Sequence, residues 1–396
     1  MQPVQIALIG GGNRGKLLTR LLLESDQPVT IAALAEPIPE RLQATGDLLN
    51  IAADRRFTDH RELLAKCRDL DGAIVTTDVR SHAPIALDCI DAGVPIYLEK
   101  PMTRTVDEAL KLTAAAKRAQ VPVMIGFNMR YAPFYWRLKQ LVVDGTIGDV
   151  VSIEWKEVLS AFAWSVGYCR ASWYSREADV GGWLLEKSCH DIDQINWLAA
   201  SACVRVASFG SRSHFLPRQD VPQRCTDGCP IEAECDYSSY KVSPDGPDSL
   251  PDYVPLDRWD KCVYHCGSDL MDRQVAIMEY ENNVTAAFSI VATGPHWSRL
   301  MRICGTKATI RGTDHTNAVE ICRHDGSEPV VETVTADKEF HGGADPVIIS
   351  KFIDFIGDPT QSPRATLDDG LESMLVAGGI EIARRENRVI DLDQWR

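Results

Sequence analysis

No apolar run among the 396 residues reaches the roughly 18 that a membrane-crossing helix requires. The chain does not open on a basic segment followed by an apolar stretch and a small-residue cleavage site, so no secretory leader is expected. Basic charge is also scarce. Lys and Arg number 42 against 56 Asp and Glu, a net charge of -14, whereas nucleic acid and anionic membrane both demand a basic face. Neither is expected as a partner. Low-complexity tracts are absent too, and 45% hydrophobic with 25% charged residues is an ordinary globular composition. What remains is a cytoplasmic protein whose length suits two domains.

The chain is organised around its first glycine turn. Val4–Ile9, an apolar run of strand length, enters Gly10-Gly11-Gly12-Asn13-Arg14-Gly15 and leaves as Lys16–Glu24, whose leucines suit a buried helix face. A G-x-G-x-x-G in that strand–turn–helix setting is a dinucleotide fingerprint. Gly10 permits the tight turn, Gly12 lets the backbone approach a pyrophosphate, and Gly15 lets helix and strand pack closely. The N–H groups at the helix start, around Asn13 and Arg14, then hold the phosphates. The next strand, Val29–Ala35, ends in Glu36, about twenty residues past the motif, where a dinucleotide fold places its ribose-binding acid. A carboxylate there favours the free 2′-hydroxyl of NAD over the 2′-phosphate of NADP. Arg14 and Arg41 lie near enough in sequence to moderate that preference. NAD is the expected cofactor.

Strands and helices alternate over residues 1–126, which predicts an α/β, doubly wound parallel sheet of Rossmann type. Gly72–Thr77, Pro95–Leu98 and Val121–Gly126 lead into Thr76-Thr77, Glu99-Lys100-Pro101 and Asn128. Open parallel sheets bind ligands at that edge. After the helix Pro133–Asp144 the pattern shifts to strand-like runs at Asp149–Val158, Val204–Ser211, Asp272–Glu281, Asn283–Val291, Leu300–Gly305, Lys307–Arg311 and Ala318–Arg323. Residues 127–396 are therefore expected to form an α+β domain around a large, mainly antiparallel open sheet. Its later helices are Ala344–Ile356 and Leu367–Arg385. Ser213–Gly267 is a Pro-, Asp- and Cys-rich insertion, too long for a plain loop.

Several residues have the chemistry of a site. Lys100 follows a buried strand at the ligand edge, and Pro101 biases it to an extended conformation that can aim its ammonium at a ligand. A solvated lysine at a strand end is the alternative. Glu186 precedes His190 by one helical turn, with Ile192, Ile195 and Leu198 on the opposite stripe. A carboxylate paired with an imidazole orients it and tunes its basicity, although a purely structural pair has the same spacing. Of the 12 cysteines, Cys67, Cys89, Cys203, Cys304 and Cys322 stand singly among apolar residues, as small hydrophobes do. Cys225, Cys229, Cys235, Cys262 and Cys266 crowd the insertion. Zinc thiolate sites use four ligands, so Cys225, Cys229, Cys235 and Cys262 are candidates for a structural zinc that would order the insertion, with His265 as a substitute ligand. Unligated thiols and disulfides are the alternatives.

The glycine turn, Glu99-Lys100-Pro101, Gly126-Phe127-Asn128-Met129-Arg130-Tyr131 and Glu186-x-x-x-His190 together resemble the Gfo/Idh/MocA oxidoreductases, NAD(P)-dependent sugar and cyclitol dehydrogenases, over nearly the whole chain. The resemblance implies a carbohydrate substrate and a homodimer or homotetramer built through the far face of the second sheet. Lys100 matches the family's active-site lysine, His190 its catalytic histidine and Asp193 the acid that follows. Glu186 stands where Asp is more usual. Thr76, Thr77, His82, Glu99 and Asn128 match positions bordering the nicotinamide and its ribose. Lys100, Arg130, Tyr131, Lys187, Asp193 and His341 make up the substrate-facing set. His341 sits in His341-Gly342-Gly343-Ala344-Asp345, similar to an element of one subset of the family; a capped surface turn is the alternative.

The chemistry so implied has His190, assisted by Lys100, taking a hydroxyl proton while hydride passes to the nicotinamide, with Lys100 stabilising the alkoxide. Some relatives are instead glycosidases or lyases that recycle the cofactor, because a transient ketone acidifies the adjacent C–H. Tyr131, Tyr168 and Tyr174 are further acids or bases in that reading, or packing residues. A non-catalytic NAD-binding regulator is the third reading, and retention of Lys100 together with His190 argues against it.

Overall fold

The computed structural model describes residues 3–171, 175–247, 250, 254–337, 339–358 and 360–396. Tyr174 lies outside the described residues. The chain divides into two units, Met1–Arg137 with Thr335–Met374, and Leu138–Val334 with Leu375–Arg396.

In the first unit, β1 (Val4–Ile9) buries its last four residues and passes through the glycine turn into α1 (Asn13–Leu23), which buries Leu18, Leu21 and Leu22. The alternation continues as β2 (Val29–Ala35), α2 (Pro39–Leu48), β3 (Arg56–Phe57), α3 (His60–Lys66), β4 (Gly72–Val75), α4 (Val79–Asp91), β5 (Ile96–Leu98), α5 (Val106–Ala119) and β6 (Val123–Ile125). Local signals start these helices. Asp59 and Asp78 accept the Arg61 and Arg80 N–H groups, and Thr105 with Glu108 forms a capping box. The Asp78 cap starts α4 at Val79. All six strands are parallel, in the order β3-β2-β1-β4-β5-β6. That is the doubly wound arrangement the alternation predicts, and its order reverses between β1 and β4, beside the glycine turn.

A 3₁₀ turn at Asn128–Tyr131 leads into α6 (Pro133–Val143). The second unit then holds β7 (Val150–Ser160), a π-helical turn at Ala163–Arg170, α7 (Glu177–Val180), α8 (Trp183–Glu186), α9 (Cys189–Ala199), β8 (Cys203–Ser211) and α10 (Ser239–Val242). β9 (Arg273–Tyr280), β10 (Thr285–Gly294), β11 (Ser298–Gly305), β12 (Ala308–Thr313), β13 (Ala318–Arg323) and β14 (Val330–Thr333) follow. With β15 (Ile390–Asp391) they form a nine-stranded sheet ordered β14-β13-β12-β11-β7-β10-β9-β8-β15, antiparallel except between β7 and β10. Ile153, Trp155, Met278, Phe288, Met301 and Ile303 are buried on one face. Phe209, Val275, Ile277 and Leu300 are exposed on the other. Period-two patterning has this outcome.

Two helices complete the chain, α11 (Phe340–Gly357) and α12 (Leu367–Glu386). α11 lies against α1 and the Asn128–Tyr131 turn, so Thr335–Met374 belongs to the first unit rather than to the one its position in sequence suggests. β14 was not expected, because its residues are exposed or half-buried and carry no alternation. Among the described residues, no helix is long and apolar enough to cross a membrane.

Four charged side chains are buried where α9 meets the sheet: Glu157, Lys187, Asp191 and Arg299. Arg299 Nε donates to Asp191 Oδ1 at 2.7 Å, and its Nη2 lies 2.8 Å from Glu157 Oε1. Lys187 Nζ lies 2.9 Å from the same Glu157 oxygen. Trp155 Nε1 donates to Asp191 and Trp297 Nε1 to Glu157. Burial alone would raise Glu157, but Arg299 and Lys187 bring it down to about 2. Burial pushes Asp191 up to about 6. Removing the cation that both carboxylates share leaves buried charge uncompensated, which costs about 3–5 kcal/mol. Arg299→Met is expected to lower the melting temperature of the second unit's transition by on the order of 10 °C in scanning calorimetry. A transition unmoved by the substitution would show that the cluster does not hold α9 to the sheet.

Candidate nucleotide and active site

The glycine turn is fixed by its neighbours. Gly10 has φ +101°, and a Cβ there would meet the Thr76 carbonyl carbon at 2.8 Å. A Cβ on Gly15 would meet Thr76 Oγ1 at 2.7 Å. Both positions therefore need glycine. Thr76 Oγ1 donates to Gly10 O at 2.8 Å, and Thr45 Oγ1 to Gly11 O at 2.8 Å, so Thr76 ties β4 to the turn. Gly12 is different: a Cβ there would touch nothing within 4 Å. It is the N-cap of α1, and no side chain caps the helix. An open approach to uncapped N–H groups at Asn13 and beyond is what a phosphate requires. Glu36 is buried at the end of β2. Its carboxylate accepts the Gly11 N–H at 2.9 Å and the Ile38 N–H at 3.1 Å, and Arg41 Nη1 lies 3.6 Å from it.

Arg14 faces the other way. Its Nε donates to Glu99 Oε1 at 2.6 Å, and Nη1 and Nη2 donate to the two oxygens of Asp345 at 2.8 and 2.9 Å. Glu99 also accepts the Tyr97 hydroxyl and the Lys100 backbone N–H. Asp345 also accepts from Asn128 Nδ2 at 2.9 Å and lies 2.7 Å from His341 Nδ1. Burial alone would raise Asp345. Hydrogen bonds from His341 and Arg14, with the charge of Arg14, hold it well below the usual carboxylate range instead. Asn128 keeps its side-chain oxygen buried with no hydrogen-bond partner in the protein, an acceptor open to a ligand. His82 is buried between Pro101 O and Thr77 O, and burial lowers its pKa. Lys100 is half-buried just past β5.

Glu99, Arg14, Asn128 and His341 thus meet in one network, which the sequence placed together only by their roles. Asp345 was not singled out, although its four-residue spacing from His341 carries the signal. Arg130 and Tyr131 are tied to the 364–369 segment. Arg130 donates to Arg364 O at 2.5 Å and lies 3.0 Å from Asp369. The Tyr131 hydroxyl accepts the Arg364 N–H, and burial raises its pKa to about 12.

In the second unit, His190 lies in the first turn of α9 and is 8% exposed. Its neighbour Asp191 is held by Trp155 and Arg299. Glu186 is not on the same helix, since α8 ends there and α9 begins at Cys189. The Glu186 carboxylate accepts the Tyr168 hydroxyl at 2.8 Å. Lys187, expected to face substrate, spends its ammonium on Glu157 and lies 4.1 Å from the Trp297 ring centre. Asp193 is buried.

The expected zinc at Cys225, Cys229, Cys235 and Cys262 is not supported. The four do line one small pocket. Among the described residues, however, no group of three or more His, Cys, Asp or Glu side chains could hold a metal ion. Arg170 Nη2 lies 3.9 Å from Cys225 Sγ, and burial raises Cys235, and Cys262 to about 11.

Asp345 has a pKa below its unfolded value of about 3.9, so the unfolded chain takes up this proton first as pH falls. The stability it contributes is present above about pH 4 and lost below it. Asp345→Asn is expected to destabilise the first unit more at neutral pH than at about pH 3, as read from guanidinium midpoints. An equal loss at both pH values would contradict the ionised, paired carboxylate.

Residues 4–127 match the model of the oxidoreductase family with an NAD-binding Rossmann fold, and residues 135–311 match the GFO/IDH/MocA C-terminal domain. The Bacillus subtilis protein YteT, described as an oxidoreductase, is 23% identical over 355 residues, 82% of each chain. The inositol 2-dehydrogenase of Corynebacterium glutamicum is 23% identical over 206 residues, 52% of this chain and 57% of that protein. The chain thus spans little more than half the length of that relative. Among solved structures, a levoglucosan dehydrogenase in complex with NADH and levoglucosan superposes with a TM-score of 0.76 at 17% identity, covering 99% of this chain and 100% of that one. The two-unit fold, the parallel sheet with its glycine turn and the two matched models together make this chain a member of the Gfo/Idh/MocA family of NAD-binding oxidoreductases.

Proposed function

We propose that this protein is an NAD-dependent dehydrogenase that oxidises a secondary hydroxyl of a cyclitol or sugar. The observation that carries the reading is the nucleotide turn: an open Gly12, an uncapped α1 and a buried Glu36 carboxylate at the end of β2. Relatives named for inositol and levoglucosan support the substrate class. A carboxylate at the end of β2 pairs with a free ribose 2′-hydroxyl and repels a 2′-phosphate, which favours NAD over NADP. Arg14, engaged by Glu99 and Asp345, offers no competing attraction.

The bound nicotinamide supplies the hydride acceptor. The protein's residues handle the proton. His190 takes it from the substrate hydroxyl, the general-base task that imidazole most often performs. The Lys100 ammonium stabilises the developing alkoxide. Glu186, whose carboxylate accepts the Tyr168 hydroxyl at 2.8 Å, is assigned with His190 on the family resemblance. Asn128 offers its buried oxygen to a donor on the cofactor.

The test is near-ultraviolet absorbance with NAD and a panel of inositols, levoglucosan, free sugars and aryl glycosides. NADH is expected to accumulate over many turnovers with at least one free polyol. Lys100→Ala and His190→Ala are each expected to lower kcat by about 100-fold or more while NADH binding persists. Leaving-group release from aryl glycosides without net NADH would replace this reading with a cofactor-recycling glycosidase. Silence across the panel with NADH bound would favour a non-catalytic role.

A further inference from the structure

Cys169 and Cys266 come from segments distant in sequence, and their thiols hydrogen-bond to one another. Cys169 lies in the π-helical turn Ala163–Arg170, and Cys266 lies at the end of the cysteine-rich insertion. A buried cysteine most often serves as a small hydrophobe. Two observations separate this pair from that role. The first is the contact itself, since packing does not require a sulfur beside a sulfur. Cys266 Sγ also accepts the Ser268 N–H at 3.5 Å and lies 3.3 Å from Val263 O.

The second is charge. Arg258 and Lys261 bring positive charge to Cys266. Arg258 donates to Cys169 O and to Arg170 O, both at 2.9 Å. Arg170 is fully buried; it donates to Tyr237 O at 2.8 Å and Lys261 O at 3.2 Å, and its Nη2 lies 3.9 Å from Cys225 Sγ. Among the described residues, neither guanidinium pairs with a carboxylate. Unopposed positive charge beside a sulfur is the setting in which cysteines react. Cys169 is fully enclosed and Cys266 is 5% exposed, so a small oxidant meets Cys266 first.

The turn that carries Cys169 also carries Tyr168, whose hydroxyl donates to Glu186 at 2.8 Å. Glu186 ends α8, and His190 stands in the first turn of α9. Closing the pair takes the two sulfurs from hydrogen-bond contact to a covalent bond of about 2 Å. That pull falls on Cys169 and on the adjoining backbone of Tyr168.

We propose that Cys169 and Cys266 are a reversible redox pair, which hydrogen peroxide closes into a disulfide that lowers turnover by drawing Tyr168 away from Glu186. The effect on turnover rests on the dehydrogenase reading above, whereas the disulfide does not. The Cys266 sulfur attacks the peroxide, its O–O bond breaks, and the sulfur is oxidised by two electrons to a sulfenic acid. The thiol proton leaves with the released hydroxide as water. The Cys169 sulfur then attacks Cys266 Sγ; the S–S bond forms, the S–O bond breaks, and the Cys169 proton leaves in a second water. A dithiol reductant restores both thiols by exchange.

The test treats the protein with hydrogen peroxide, maps its unreduced peptides by mass spectrometry and follows polyol oxidation in parallel. The peptides carrying Cys169 and Cys266 should be joined, with fragmentation placing the bond on Cys266 rather than Cys262, and dithiothreitol should part them. Turnover should fall by about tenfold or more and recover with the reductant, since small misplacements at an active site cost that much. Cys169→Ala and Cys266→Ala should each keep their turnover through the same treatment. The wild-type peptide map decides the pairing whether or not either variant folds. No bond, or one formed instead among Cys225, Cys229, Cys235 and Cys262, would overturn the pair. A Cys169–Cys266 bond that leaves turnover unchanged would overturn the control assigned to it. The bond forming in a protein that binds NADH but oxidises no polyol would remove the dehydrogenase reading and the control of turnover, and would uphold the pair.

Discussion

The guanidinium of Arg14 stands between two carboxylates, and much of the first unit's polar edge depends on it. Glu99 ends the strand-to-lysine segment after β5, and Asp345 begins the regular part of α11. Without the cation, these two acids would sit close together with their charges unopposed, an arrangement that raises pKa values and loosens structure. With it, three charge-assisted hydrogen bonds join the start of α1, the end of β5 and the start of α11. Asn128 and His341 then take their places from Asp345. A helix from late in the chain is thereby attached to the nucleotide turn.

This dependence explains which parts were legible in the sequence. Buried parallel strands are local signals, so five of the six could be read directly, whereas β3, only two residues long, could not. Nothing local in Ala344–Ile356 says which sheet it joins. That choice is made by contacts distant in sequence: Ile348, Ile349 and Phe352 are buried, and Arg14 binds Asp345, 331 residues away. The Glu186–His190 spacing suggested one helix because four residues make a turn; the break between α8 and α9 is marked only by Ser188, the N-cap of α9. The buried cluster of Glu157, Lys187, Asp191 and Arg299 was also hidden. Charged residues within alternating strands read as solvated positions, and only the assembled sheet shows that these lie beneath α9. Cysteine spacing did bring four thiols to one pocket, but spacing alone does not set the distances that a metal requires.

Fold and chemistry rest on different kinds of observation in this protein. The family and the two sheets follow from patterns spread over hundreds of residues. The substrate depends on a few side chains, and one architecture hosts many substrates. What narrows the choice is the placement of particular groups. Arg14 and Lys187 are committed to internal ion pairs, whereas Gly12 and the Asn128 oxygen are left open to ligands.

The central assignment is an NAD site read by Glu36, and titration calorimetry of the wild-type protein with NADH and with NADPH tests it most directly. NADH is expected to bind at least about tenfold more tightly, since like-charge juxtaposition costs several kcal/mol and about 1.4 kcal/mol is a factor of ten. Equal affinities, or tighter binding of NADPH, would contradict the role given to Glu36 and with it the NAD-linked chemistry.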